Sequence, residues 1–284
     1  MSEIYDIGYR HYEGPRLGRG HSARALAVHS LRGIFGLGRP ARSKIMPFLL
    51  ATIMVLPAVV SIAMMALIQQ RAMSYSSFAV VMQAVVAIFL ASQAPTAVAP
   101  DLRHRVLPLY LSRPVSVPEY IAAKVSAMTV AVFAIVAVPL TIMYVGELLI
   151  DLPGPPSTEE YLGAMAMALV LALLVSTFGL ALASLTPRRG LGVASVMAVY
   201  LLTLAAVPIV YATLTSMGED AAARWAWLLN PFWLVDALQV SLFGTTPNSE
   251  GGYPAGPAPA LIVLALLALA IGVLTARYRK AAAQ

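Results

Sequence analysis

The sequence predicts an all-α, polytopic membrane protein with six transmembrane helices. Of its 284 residues, 60% are hydrophobic and 11% are charged, and the mean hydropathy of +0.80 is too high for a soluble domain of this size. Six runs carry no charged residue, and each exceeds the ~20 residues that a helix needs to cross the hydrocarbon core. These runs are 46–70, 72–100, 125–146, 161–187, 190–218 and 251–276.

Basic residues predict the orientation of the spans. All of the 19 Lys and Arg residues except Arg71 and Arg224 lie before the first run, between the second and third, between the fourth and fifth, or after the sixth. Such segments stay on the cytoplasmic side, so both termini are predicted to be cytoplasmic. The excess of Arg over Lys favours a bacterial source, and hence a bacterial plasma membrane. The net charge of +6 follows from this topology, so no nucleic-acid partner is predicted.

This topology divides the chain into three parts. Residues 1–45 form a basic cytoplasmic tail, residues 46–278 form the membrane domain, and residues 279–284 form a cytoplasmic C-terminal tail. The predicted spans are about 46–69, 77–99, 118–146, 159–185, 191–215 and 258–277.

The basic tail contains a predicted amphipathic helix. Its apolar positions recur at helical spacing, while His29 and Arg32 lie roughly opposite. The apolar positions are Ala27, Leu31, Ile34 and Phe35. We expect this helix to lie on the inner membrane surface, in contact with lipid.

Two amides stand out in the second run. Gln83 and Gln93 are surrounded by apolar residues, and an amide in hydrocarbon needs hydrogen-bond partners. They either line a path between two protomers or bond to neighbouring helices, and the sequence leaves both interpretations open.

A charged island at 101–116 separates the second and third runs. It must lie just outside the bilayer, because ionised side chains remain hydrated there. Its position predicts a docking surface. The island ends at Ser116, which forms a capping-box pattern with Glu119 and predicts the start of the third span.

The segment between the fifth and sixth runs contains all three tryptophans, Trp225, Trp227 and Trp233. The apolar residues around them are interrupted by Asn230-Pro231 and Asp236, so this stretch is too broken to span. We expect two short interfacial or partly re-entrant helices on the outer face. The alternative is an aromatic belt that only anchors the neighbouring spans.

The island also carries a resemblance to a known family. The pattern Leu-Ser-Arg-Pro-Val-Ser-x-x-Glu-Tyr at 111–120, followed by Lys124, resembles the first cytoplasmic loop of type-2 ATP-binding-cassette exporter permeases. The likeness is strongest over 111–124, and the six-span layout extends it to the whole chain. The chain departs from the pattern at Arg105-Val106, where many members carry a Gly-Thr pair.

The resemblance implies that this loop, 100–117, seats in a cleft of a separate ATPase subunit and that a second permease completes the transporter. ATP and Mg would then be held by the ATPase, with no cofactor on this chain. We expect Asp101, Arg103 and Arg113 to make charged contacts. The other coupling-loop residues are Leu102, Arg105, Leu107, Leu109, Leu111 and Ser112, of which the last three leucines are the expected apolar anchors.

The absence of catalytic, phosphate-binding and metal-ligand motifs disfavours several classes of function. The chain has no cysteine, no phosphate-binding loop and no recognisable catalytic or metal-ligand pattern, so we expect no enzyme activity and no metal site. The six runs contain no ionisable group of the kind that proton-coupled carriers use. A secondary carrier or channel without an ATPase remains the first alternative, because sodium sites can use carbonyls and hydroxyls. An intramembrane enzyme or a regulatory membrane anchor is less favoured.

Overall fold

The computed structural model describes residues 14, 17–112, 115–150, 154–186 and 188–283. The protein is 80% helical, and the described residues contain no strand, which confirms the predicted all-α class. Six helices in this part of the chain are long and apolar enough to cross a membrane. The prediction of a polytopic membrane protein is therefore confirmed as well.

The helices follow one another with short connections. In chain order they are α1 (Arg19–Ile34), α2 (Arg42–Ile68), α3 (Phe78–Val81), α4 (Gln83–Arg103), α5 (Leu107–Leu111), α6 (Val117–Leu149), α7 (Thr158–Leu185), α8 (Arg189–Ser216), α9 (Asp220–Ala223), a 3-10 helix (Arg224–Leu229), α10 (Pro231–Phe243) and α11 (Ala258–Ala282). The candidate spans are α2, α4, α6, α7, α8 and α11. The stretch predicted as one span at 77–99 is divided at Met82, and α4 continues past its predicted end.

Helices α4, α6 and α7 form the centre of the protein. More than half of the apolar stretch of each is buried, whereas most of the surface of α2, α8 and α11 is exposed. Glycines allow the central helices close contact. A Cβ added at Gly179 of α7 would lie 2.8 Å from the Leu90 side chain of α4, and one at Gly146 of α6 would lie 2.4 Å from Ile62 of α2. Small residues at helix contacts bring backbones together in this way in membrane proteins.

Helix α1 packs against the protein with its apolar side. Leu26 and Ile34 are buried, and the helix contacts α6 and α4. The Phe35 ring lies 6.3 Å from that of Phe48 in α2 and 6.1 Å from that of Phe89 in α4. The opposite side, with His29 and Arg32, is exposed. The face predicted to contact lipid therefore contacts neighbouring helices, while the position of α1 at a membrane surface stays a prediction.

The segment between α8 and α11 forms short helices. The α9 and 3-10 pair meets α10 at a bend of 118°. Asn230 occupies the bend and caps α10, because its Oδ1 accepts a hydrogen bond of 2.9 Å from the Phe232 amide. Pro231 at the first helical position and Gly244 in the left-handed region at the end delimit α10. Such a bend suits either a broken span or a re-entrant element, and the outer-face location stays a prediction.

Candidate functional site

The charged island and the first turns of α6 meet in a group of three side chains, Asp101, Tyr120 and Lys124, which we call the Asp101 cluster. Lys124 Nζ lies 2.9 Å from Asp101 Oδ2 and also donates a hydrogen bond of 2.9 Å to the carbonyl of Ala97. The Tyr120 hydroxyl donates to the same Asp101 oxygen. Only 13% of the Asp101 side chain and 11% of the Lys124 side chain are exposed. The cluster therefore joins the last turns of α4 to the first turns of α6.

Aromatic rings extend this cluster to two further helices. The Tyr120 ring lies 5.6 Å from that of Tyr110 in α5 and 5.2 Å from that of Tyr278 in α11. The Lys124 ammonium lies 5.4 Å from the centre of the Tyr120 ring, which favours the cation electrostatically. Contacts between aromatic rings contribute ~1 kcal/mol each beyond the area they bury. Four helices thus meet at the Asp101 cluster.

Short helix α5 presents the predicted anchors in different ways. Leu107 is buried, whereas Leu109 is 70% exposed. Leu102 and Leu111 are partly buried against the core, and Ser112 is exposed. One of the three expected apolar anchors therefore points away from the protein, and the others hold α5 in place.

Two arginines precede this exposed leucine, at the end of α4 and in the turn before α5. Arg103 and Arg105 are both exposed. Arg105 has a φ of 52°, a left-handed conformation that costs a non-glycine residue about 1 kcal/mol or more. Glycine adopts that conformation without strain, which gives a physical reason for the Gly that the resembled family carries at this point.

The remaining coupling-loop residues lie at the end of the island. Arg113 lies outside the described residues, so its predicted contact is neither supported nor opposed. Helix α6 begins directly after Ser116. The Glu119 carboxylate accepts hydrogen bonds of 2.6 Å from the Ser116 amide and 2.8 Å from its hydroxyl, so the two residues fix the start of α6.

The two glutamines of α4 bond within the chain. Gln83 Oε1 accepts a hydrogen bond of 3.2 Å from Asn230 Nδ2, and so ties the start of α4 to the bend before α10. Gln93 is buried, and its amide nitrogen lies 3.1 Å from the Ser92 hydroxyl. Gln83 thus bonds to a neighbouring helical segment, as one interpretation expected, whereas Gln93 bonds to the adjacent residue of its own helix. A role in lining a path stays a prediction.

The three tryptophans occupy different surroundings. Trp225 is 49% exposed, whereas Trp227 is buried. The Trp227 ring lies 4.7 Å from that of Trp233 and 5.1 Å from that of Tyr211 in α8. The indole N–H of Trp227 has no hydrogen-bond partner within the described part of the chain. Trp227 and Trp233 thus pack the bent helices against α8, and Trp225 is the ring available to a membrane interface.

A second charged group lies at the other end of α6, and we call Arg71, Tyr75 and Glu147 the Glu147 cluster. Glu147 is buried, and several donors bond to its carboxylate. Arg71 Nη2 lies 2.5 Å from Glu147 Oε1, the Ser157 amide donates to the same oxygen at 2.8 Å, and the Tyr75 hydroxyl donates to Oε2. Burial and the Glu147 charge together raise the pKa of Tyr75 above its ordinary value.

A third carboxylate fixes the linker before α11. Asp236 of α10 is buried and accepts hydrogen bonds from the Asn248 amide at 3.1 Å, from Asn248 Nδ2 at 2.8 Å and from the Tyr253 hydroxyl. Burial, followed by the Asp236 charge, raises the pKa of Tyr253. Asp236 thus holds the loop to α10 rather than facing water.

Little in the sequence pattern predicts these buried groups. Arg71 and Glu147 are 76 residues apart, and no spacing rule connects them. The available signal was that Arg71 stands alone between two apolar runs, where an unpaired cation is costly. Lys124 was recognised as part of the loop pattern, but its pairing with Asp101 was not.

An apolar cavity of about 160 Å³ lies between α4, α7, α8 and the bent helices. Its only polar side chains are Tyr200 and Thr203, and neither Gln83 nor Gln93 lines it. No three His, Asp or Glu side chains among the described residues come together in a way that suits a metal ion.

Comparison with known proteins gives one assignment. A family model described as ABC-2 family transporter protein matches residues 42–277, from the start of α2 to the last turns of α11. No curated protein matches the chain. The match covers the Asp101 cluster, the Glu147 cluster and Asp236 with its donors, and it leaves out α1.

Proposed function

The chain belongs to the ABC-2 family of transporter proteins, and we propose that it is the permease subunit of an ATP-driven exporter whose ATPase is a separate protein. Membership confirms the resemblance seen in the loop, and makes the chain a membrane component of an ABC-type transporter. Coupling to an ATPase through α5, outward transport, and a second permease are the further steps of the proposal. The cation-rich ends of the spans support cytoplasmic termini in a bacterial plasma membrane.

One observation carries the coupling proposal. Leu109 is exposed on a short helix whose Leu107 is buried, and two exposed arginines, Arg103 and Arg105, precede this helix in the chain. An apolar anchor within a charged rim is the usual composition of a protein docking site. Arg103 and Arg105 are available for contact, whereas Asp101 is paired within the chain and positions the surface.

The Asp101 cluster supplies a route for mechanical coupling. Movement of α5 acts on Tyr110, whose ring contacts Tyr120, and the ion pair of Asp101 with Lys124 joins α4 to α6. Packed groups of this kind move as a unit and do not deform gradually. Force applied at α5 by ATPase closure would therefore turn α4 and α6 together. The exposed surfaces of α2, α8 and α11 are available to a second permease.

The test uses affinity purification of the tagged full chain from its native host in mild detergent. We expect a stoichiometric soluble subunit with a phosphate-binding loop, identified by mass spectrometry. Leu109→Asp should reduce recovery of this subunit about tenfold or more, as expected for loss of a central anchor. Because Leu109 is 70% exposed, the folded yield should change little.

Leu149→Asp is the matched control, since Leu149 is 80% exposed at the opposite end of α6. It should leave recovery of the ATPase unchanged. Equal recovery with the Leu109 and Leu149 variants would contradict docking through α5. A chain that purifies alone and moves solute in ATP-free vesicles would instead establish a secondary carrier or channel.

A further inference from the structure

A basic groove runs along the side of α1 that faces away from the protein. It encloses about 650 Å³ and is formed by α1 and the turn that leads to α2. Three arginines and two histidines line it, together with small or apolar residues, and none of the lining residues is acidic. The cationic or titratable residues are His21, Arg24, His29, Arg32 and Arg39. This groove lies outside the family match, and the function proposed above does not use it.

The turn after α1 is built so that Arg39 returns to the helix. The Leu37 amide donates a hydrogen bond of 2.8 Å to the Arg32 carbonyl, and Gly36 has a φ of +66°. A Cβ at Gly36 would lie 2.6 Å from the Ser43 carbonyl oxygen, so this close approach requires glycine. A Cβ at Gly33 would lie 3.5 Å from Arg39 Nη2, which places the guanidinium directly over α1.

The cations of the groove have no acidic partner in the described part of the chain. The ion pairs found there are Arg71 with Glu147 and Lys124 with Asp101, both away from the groove. Several guanidinium groups around one concave surface produce a positive potential that an anion lowers. Arginine in particular forms paired hydrogen bonds with phosphate oxygens.

Exposed apolar side chains line the groove and follow it along the chain. Val28 and Leu37 in its lining are 47% and 43% exposed, and α2 begins a few residues beyond Arg39. The first turns of α2 expose a band of large apolar side chains. These are Ile45, Met46, Phe48 and Leu49. Because α2 is a candidate span, the groove lies where the surface changes from cationic to lipid-facing.

We propose that this groove binds the phosphate headgroup of an anionic phospholipid, whose acyl chains lie along the first turns of α2. A free phosphate ion would use the cations and leave the apolar band unexplained. A zwitterionic lipid brings an ammonium group, which the three arginines repel. An acidic protein surface fits the charge, but it does not account for the continuity with a membrane-spanning helix. Recognition of lipid headgroups by basic pockets at the ends of spans follows from the same electrostatics.

The experiment measures which lipid stays bound to the purified full chain. The protein is reconstituted in vesicles of equal parts phosphatidylglycerol and phosphatidylcholine, extracted in mild detergent, and analysed by native mass spectrometry. We expect one retained phosphatidylglycerol and little phosphatidylcholine. Arg32→Gln with Arg39→Gln should lower that retention about tenfold or more, because each cation near the headgroup contributes to binding.

The control pair is Arg188→Gln with Arg189→Gln, which removes the same charge from two exposed arginines at the start of α8. It should keep the bound lipid. Val28→Asp provides an independent variant, since it leaves every arginine in place and adds a repelling carboxylate to the groove. It should lose the lipid as well. Melting temperatures close to that of the unmodified chain will show that the variants are folded.

Several results would overturn the proposal. If the control pair lost as much bound phosphatidylglycerol, the lipid would be held by general attraction to the cationic surface. If phosphatidylcholine were retained equally, the groove would not select anionic headgroups. Displacement by millimolar inorganic phosphate, without dependence on acyl chains, would identify a free-anion site. Unchanged lipid retention in the Arg32 and Arg39 double variant would also overturn it, and loss of the soluble subunit from that variant in the separate affinity purification would assign the groove to a protein partner. The assay contains no ATPase and no nucleotide, so its outcome is independent of the function proposed above.

Discussion

The two ends of α6 are held by similar groups in different surroundings. In each cluster a carboxylate accepts a hydrogen bond from a tyrosine hydroxyl and pairs with one cation. The Asp101 cluster adjoins exposed, basic α5, while the Glu147 cluster is closed over by the start of α7 and the loop after α2. The same chemistry therefore serves two purposes. Near α5 it joins α4 to α6 beneath an exposed surface, and at the other end of α6 it holds the loop after α2 and the start of α7.

The carboxylates also differ in how fully they are bonded. Glu147 has an arginine, a tyrosine and a backbone amide as donors, and only 2% of its side chain is exposed. Asp101 has a lysine and a tyrosine. A buried charge with more donors leaves more unsatisfied groups when it is removed. We therefore expect the Glu147 cluster to matter more for stability, and the Asp101 cluster to matter more for coupling.

The largest expected effect is that of Glu147→Ala. It leaves the buried Tyr75 hydroxyl and the Ser157 amide without their acceptor, as well as the partly exposed Arg71, and unsatisfied donors of this kind together cost ~3 kcal/mol. The thermal midpoint in detergent should fall by several degrees. Glu159→Ala is the control, because Glu159 is exposed in the first turn of α7, and it should change the midpoint little. Matching midpoints for the two variants would remove the distinction between the clusters.

The next effect in size is that of Asp101→Ala. The loss of the Lys124 pair and the Tyr120 hydrogen bond should cost ~2 kcal/mol, because hydrogen bonds to a charged group contribute that much. Stimulation of the proposed ATPase partner, measured per folded molecule, should fall further than stability does. Asp220→Ala removes an exposed carboxylate and should change neither quantity. If Glu147→Ala lowers stimulation per folded molecule equally, the Asp101 cluster has no special part in coupling.

The comparison also shows what could be predicted from the sequence. Charge-free runs predict spans because hydrocarbon imposes their length and composition, and the structure contains six such helices. The same reasoning did not indicate that Glu147 and Asp236 are both buried against donors from other segments. Pairing between distant segments depends on how helices pack, which the spacing within one run does not encode.

Helix α1 also shows that a pattern within one segment does not identify what that segment packs against. The positions of Ala27, Leu31, Ile34 and Phe35 predicted one apolar face, and the structure buries or partly buries all four. Periodicity identified the face but not its partner, since lipid and protein both accept an apolar surface. Charge predicted that the segment 101–116 lies outside the bilayer. Which of its leucines is exposed and which are packed could be seen only in the folded chain.

The smallest expected effect is that of Glu119→Ala, at the first turn of α6. Glu119 only holds the helix start through Ser116, so its loss should lower stability less than the loss of either clustered carboxylate. Hydrogen exchange should speed up in the first turn of α6 and stay unchanged around Glu147. Glu119→Gln retains an acceptor suited to the cap and should restore most of the protection. Faster exchange along the whole helix would mean that the cap and the Asp101 cluster act as one unit, and that the start of α6 is less stable than the comparison of the two ends implies.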